Sequence, residues 1–200
     1  DGQGFLKPQF PQIFVLPATG GSARQLTSGD FHHGSDLTFS PDSKALLFSA
    51  NLDPEWEYQP RDSNLYRLDL ASNKLSALTS MAGDESAPVF SPDGKQLAFL
   101  WNSNALVPYS NNKLKVLNLS SNNINDITAE FDRSIAAANW LSNQSFVVQY
   151  DDRGQRKLAT LSHKGKLTEL TASLGGVSQP QPYLSGSYSV SDNGIIAYTH

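Results

Sequence analysis

A short phrase recurs through this chain at almost constant spacing. Phe39-Ser-Pro-Asp-Ser43, Phe90-Ser-Pro-Asp-Gly94, Trp140-Leu-Ser-Asn143 and Val190-Ser-Asp-Asn-Gly194 begin 51, 50 and 50 residues apart. A second marker keeps phase with the first: Leu26-Thr27, Leu78-Thr79, Ile127-Thr128 and Leu170-Thr171 each close a segment. Two markers in fixed phase describe one repeated supersecondary unit. A period near fifty filled with short alternating strands is the size of a four-stranded propeller blade. The expected fold is therefore all-β, a β-propeller of four-stranded antiparallel blades.

The clearest copy divides by apolar alternation and turn residues. Pro88–Phe90 reads as a first strand, Ser91-Pro-Asp-Gly94 as a turn, Gln96–Trp101 as the second strand, Lys113–Leu119 as the third and Ile124–Thr128 as the fourth. Asn64–Leu70 and Lys157–Leu161 align as third strands, with turns at Ala71–Lys74 and Ser162–Gly165, and no helix is needed. The phase gives a half blade over 12–27, blades over 36–79, 87–128 and 135–171, and a half blade over 187–199. The halves either pair to close a four-bladed ring or continue in further sequence. The second arrangement is favoured, because small rings sit at the end of the usual range of roughly four to eight blades, and open arrays expose sheet edges.

Composition narrows the function classes. Fifteen Lys and Arg against nineteen Asp and Glu leave a net charge of −4 without a basic run, which argues against nucleic acid as a partner. No apolar stretch reaches membrane-span length, and Asp1-Gly-Gln-Gly4 has no signal pattern. Without cysteine there is no disulfide framework or thiol nucleophile, and composition does not assign a compartment.

The segment Phe48–Tyr66, with its Glu-Trp-Glu-Tyr-Gln-Pro loop, resembles the blade loop of bacterial prolyl oligopeptidase-type serine peptidases, in particular the acylaminoacyl and dipeptidyl peptidase branch. Tyr150–Gly154, Leu174–Gly176 and Pro182–Val190 are similar to the same branch in the same order. The resemblance implies a propeller that belongs to a larger, seven-bladed-type ring. It also implies a C-terminal α/β-hydrolase domain with a Ser, Asp, His triad as the propeller's own partner, and short peptides as substrates. A nucleophile elbow needs Gly-x-Ser-x-Gly. Gly176-Val-Ser178-Gln-Pro180 comes nearest and fails at its last position, so no catalytic residue is carried over and the hydrolase domain is expected outside these residues. Neither a cofactor nor a metal is expected.

Within the chain, Glu55, Trp56, Glu57, Tyr58 and Arg61 are the candidate binding residues: carboxylates, aromatics and a guanidinium on one loop can hold a peptide or line an entry channel. The alternative is that Trp56 and Tyr58 pack the loop against a neighbouring blade or the hydrolase domain while its charges stay solvated. Adjacent His32 and His33 on extended chain point to opposite faces, which favours a loop or strand-end role over metal ligation. Asp151 and Asp152 before Arg153-Gly154 read as a turn, and Phe90, Phe99, Trp101 and Trp140 as core. Asn118-Leu-Ser120 and Asn143-Gln-Ser145 match the short glycosylation pattern. Three functions follow in order of preference: a gating propeller of a serine exopeptidase, a Tol-system-like or WD-type propeller that binds protein partners, and an independent small propeller enzyme.

Overall fold

The protein is described here from a computed structural model, which describes residues 10–33, 35–103, 107, 109–175, 177–178 and 183–200. These form strands and turns without a helical residue among them. The chain divides into two compact units, Asp1–Pro88 and Val89–His200.

In the first unit, β1 (Phe14–Val15) and β2 (Arg24–Gln25) pair antiparallel. A four-stranded meander follows in the order β3 (Ser35–Phe39), β4 (Ala45–Ala50), β5 (Asn64–Asp69), β6 (Leu75–Ala77). The unit boundary falls within β7 (Asp84–Phe90). The second meander runs β7, β8 (Gln96–Asn102), β9 (Lys113–Asn118), β10 (Ile124–Asp126). The third runs β11 (Ile135–Ser142), β12 (Ser145–Asp152), β13 (Gln155–Ser162), β14 (Leu167–Thr171). Two hairpins follow, β15 (Val177–Ser178) with β16 (Tyr183–Leu184), and β17 (Tyr188–Val190) with β18 (Ile196–Tyr198).

Each sequence marker has a physical cause. In the first turn, Ser40 Oγ donates to Asp42 Oδ1 at 2.6 Å and accepts the Ala45 N–H at 2.9 Å, while Asp42 Oδ1 accepts the Lys44 N–H at 3.1 Å. Ser91 and Asp93 repeat these bonds at 2.6, 3.0 and 3.1 Å. Ser191 repeats the first two with Asn193 and the Ile195 N–H. The serine hydroxyl donors, with the backbone amides behind them, hold the Asp42 and Asp93 carboxyls below the usual carboxylate range. The residue after Asp42, Asp93 and Asn193 takes positive φ in all three turns, at Ser43, Gly94 and Gly194.

The second marker fastens the third strand. Thr27, Thr79 and Thr128 each place Oγ1 on the N–H of Ile13, Leu65 and Leu114, at 2.9, 2.9 and 2.8 Å. The preceding N–H of Leu26, Leu78 or Ile127 reaches the carbonyl of the same residue at 2.8, 2.8 and 2.9 Å. The fourth copy departs from this pattern. Thr171 pairs with Leu158 in the ladder beside a register shift, and its Oγ1 is buried without a hydrogen-bond partner among the described residues.

The turns between third and fourth strands are also paired. Asp69 Oδ1 accepts the N–H groups of Ala71 and Ser72, and Asn118 Oδ1 those of Ser120 and Ser121, with Asn73 and Asn122 in the left-handed region. The amide oxygen of Asn118, in the first glycosylation-like triplet, thus has a structural task in its turn.

The first unit packs Ile13, Leu26, Leu46, Phe48, Ala50 and Leu68 into one cluster. The second packs Leu114, Ile135, Trp140, Phe146, Val148 and Leu161 among others. Phe99 and Trp140 are core as expected, but Phe90 and Trp101 are only half-buried. Trp101 instead carries the Lys115 ammonium 4.6 Å from its ring centroid, and that ammonium pairs with Asp126 at 2.7 Å. The second correction concerns β7, which begins at Asp84 rather than Pro88.

Candidate functional site

The loop joining β4 to β5 is built by its own polar residues. Asn51 Oδ1 accepts the Asp53 N–H at 3.2 Å and Asp53 Oδ1 the Glu55 N–H at 2.7 Å, two successive Asx turns that fit the Asn and Asp placed there. The carbonyls of Asp53 and Glu55 then take the N–H groups of Trp56 and Tyr58 at 3.0 and 2.9 Å, and Asn51 Nδ2 closes the loop on the Gln59 carbonyl at 2.6 Å.

Trp56 anchors the loop to the unit. Its ring meets His32 edge-on at 5.4 Å and Phe10 at 6.3 Å, and Phe10 and His32 meet at 5.3 Å. Of the expected binding residues, Trp56 is half-buried, while Glu55, Glu57, Tyr58 and Arg61 are exposed, Tyr58 to 82%. The packing alternative therefore describes Trp56 and does not describe Tyr58 within this unit.

Beside the loop lies a cavity of about 500 Å³ lined by residues including His32, His33, Asn51, Ser63, Asp84 and Ser86. His32 and Asn51 belong to both features. The two histidines separate as expected: His32 faces Trp56, while His33 is buried against Phe31 and Phe48 with Nδ1 3.0 Å from the Phe31 carbonyl. Burial pushes the His33 imidazole below its usual pKa, so the ring is neutral near pH 7, with Nδ1 assigned as the donor from its carbonyl partner.

The hydroxyls here are structural. Ser49 donates to the Glu85 carbonyl, and Ser63 Oγ lies 2.7 Å from Asp84 Oδ1 and 3.0 Å from the same carbonyl. Ser49 is turned to a backbone carbonyl rather than to a base, while Ser63 shares its hydroxyl between that carbonyl and the Asp84 carboxylate. The arrangement is a recess of mixed polar and apolar lining beside the loop, suited to binding.

Elsewhere, Asp151 and Asp152 precede a hairpin turn in which Arg153 and Gly154 both take positive φ. Asp151 pairs with Arg156 at 2.7 Å, and Asp152 with Arg133 at 2.9 Å and Lys157 at 3.4 Å. The Arg133 hydrogen bond foremost holds the Asp152 carboxyl below the usual range, which suits a turn and not a proton donor. Gly176, Gln179 and Pro180 of the elbow-like pentapeptide, and Pro182 of the last resembling segment, lie outside the described residues. Ser178 itself is in β15, an extended strand. No group of three or more His, Cys, Asp or Glu among the described residues is placed to hold a metal ion, and no described helix is long and apolar enough to cross a membrane.

Sequence reasoning missed Asp84 and Glu85, which it left outside the strand. The available signal is the repeat itself: counted back five residues from Phe90 and Trp140, Glu85 occupies the place of Ile135.

Residues 3–108 and 40–128 match the family model for the dipeptidyl peptidase IV (DPP IV) N-terminal region. Dipeptidyl-peptidase 5 of Aspergillus oryzae is 24% identical over 142 residues, covering 66% of this chain and 20% of that protein. Among solved structures, a Mycobacterium tuberculosis puromycin-hydrolyzing peptidase matches with a TM-score of 0.70 at 16% identity, over 94% of this chain and 31% of its own. TolB from Acinetobacter baumannii matches with 0.64 at 19% identity, over 94% and 43%. At such identities the structures speak for the fold, whose four-stranded sheets are β-propeller blades. The chain spans between 8 and 27% of the length of the curated relatives it matches.

Proposed function

Since the chain belongs to the dipeptidyl peptidase IV N-terminal region family, we propose that it is the non-catalytic propeller part of a serine-type peptidase and controls which peptides reach a C-terminal α/β-hydrolase domain. The observation that carries this reading is the family match, which together runs from residue 3 to residue 128. The peptidase relatives support it.

Selectivity by exclusion is the mechanism. An extended peptide is about 10 Å across with its side chains, whereas a 100-residue folded domain has a radius of gyration near 13 Å. An entrance ringed by blades admits the first and rejects the second. The blades supply rigidity, because their turns are locked by side-chain hydrogen bonds. Glu55, Trp56, Glu57, Tyr58 and Arg61, on the loop beside the cavity, supply contacts to the peptide. In this reading the nucleophile, base and acid lie in the hydrolase domain.

The test is hydrolysis of aminoacyl and dipeptidyl chromogenic peptides by the full-length protein and by residues 1–200 alone, with and without a serine-directed covalent inhibitor. Inhibitor-sensitive activity in the full-length protein only is the expected result. Activity in residues 1–200, or none in either, overturns it; the second result would favour a non-enzymatic propeller that binds protein partners.

A further inference from the structure

Glu85 is fully buried, at 0% exposure, in a position that the next copy fills with Ile135, also at 0%. The equivalence is structural as well as sequential: the Glu85 N–H donates to the Ser63 carbonyl at 3.1 Å, and the Ile135 N–H to the Asn112 carbonyl at 3.0 Å. Around both sits the same frame of a threonine hydroxyl on a third-strand amide, Thr79 on Leu65 and Thr128 on Leu114.

The first copy thus carries a carboxyl where the second carries a hydrocarbon. Glu85 Oε2 contacts the Thr79 hydroxyl and lies 3.2 Å from the Leu65 N–H; burial opposes the ionised carboxyl more than these contacts and the Met81 backbone favour it, and Oε1 is buried without a hydrogen-bond partner among the described residues. The charged groups acting on it are carboxylates. Asp62 lies on the loop leading into β5, and Asp84 neighbours Glu85 in β7 with its own side chain on Ser63. In β5, the Tyr66 phenol, stacked on Phe48, is raised above its usual range by burial first and by carboxylates including Glu85. Burial likewise pushes the Glu85 carboxyl up. An ion in this place would lack both water and a cationic partner.

We propose that Glu85 is a pH-responsive latch at the start of β7: as the neutral acid it closes the core between Thr79 and Leu65, and its ionisation loosens Asp84–Ser86, the segment that walls the cavity. Asp84 and Ser86 project from the face opposite Glu85 and line that cavity. Their positions follow the strand backbone, which Ser49 and Ser63 hold at the Glu85 carbonyl.

The sign follows from linkage. A carboxyl with a raised folded pKa binds more protons in the folded state, so stability falls as pH rises through the window above the unfolded value. The experiment is hydrogen exchange of the full-length protein at about pH 5.5 and about pH 8, corrected for intrinsic rates. Amides 134–136 around Ile135 serve as the internal control. Wild-type protection at 84–86 should drop several-fold more than at 134–136, the direction that proton linkage to a raised carboxyl gives. In Glu85→Gln the excess drop should vanish. Equal pH dependence of the two segments in the wild-type protein overturns the latch even if Glu85→Gln fails to fold. An excess drop that survives in Glu85→Gln overturns Glu85 as its cause.

Discussion

The meanders β3–β6 and β7–β10 share a hydrogen-bonded frame and part company where each receives the strand that follows. Both use Ser, Asp and a positive-φ residue to turn from first to second strand, and both use a threonine hydroxyl to hold the third. At the receiving position one presents a carboxyl and the other an isobutyl-sized hydrocarbon. The difference teaches that the repeat is maintained by satisfying backbone N–H groups, while the filling of the core is free to vary in polarity. A buried amide without an acceptor costs about 1–3 kcal/mol, whereas a buried apolar residue can replace a buried polar one at little cost or even with gain.

Exchanging the two residues should break that symmetry most visibly. Ile135→Glu places a carboxyl in the second unit's main apolar cluster and should cost about 3–5 kcal/mol in denaturant unfolding. The reverse change, Glu85→Ile, should be neutral or stabilising by about 1 kcal/mol near pH 7. If both exchanges cost the same, the two positions are not distinguished by their surroundings and the comparison fails.

The threonines sharpen it further. Thr128→Val strips the Leu114 N–H of its acceptor and should cost about 1–3 kcal/mol at any pH between 5 and 8. Thr79→Val should cost more as pH rises, because it removes a donor that favours the ionised form of Glu85, and it should cost least at acidic pH. Thr171→Val, at the copy whose hydroxyl has no partner among the described residues, should fall within about 0.5 kcal/mol of wild type or gain stability. A pH-dependent loss in Thr128→Val would remove Glu85 from the explanation.

The smallest effects belong to the β4–β5 loop. Trp56→Ala should lower the thermal midpoint and change KM for peptides, because it frees the loop from His32 and Phe10. Tyr58→Ala, at an 82% exposed residue, should change KM alone. Unchanged kinetics in both variants would remove this loop from substrate contact.

The frame was legible because its residues are chemically singular: few side chains other than Ser before Asp, or Thr after an apolar residue, provide those acceptors at that spacing. The loop was legible as a loop from Asn51, Asp53, Pro54 and Pro60, but its anchoring partners were not, since Phe10 and His32 lie far away in sequence. Glu85 escaped because Asp84-Glu85-Ser86 reads as polar connection, and only a tertiary environment turns such residues into a buried strand. Phe90 and Trp101 were misplaced for the complementary reason. Recurrence at equivalent blade positions suggests inter-blade core, yet both are half-buried, and Trp101 finds a cation instead. Thr171 shows that a sequence marker can persist after the bond that explains it is gone.

Access to the hydrolase domain is the claim on which the functional account rests. The most direct measurement compares, in the full-length protein, kcat/KM for a short peptide with kcat/KM for the same sequence displayed on a folded domain with a free N-terminus. The account predicts rapid cleavage of the short peptide and none of the folded one, with cleavage restored when the carrier domain is unfolded. Equal rates on the two would contradict a gating role for these blades.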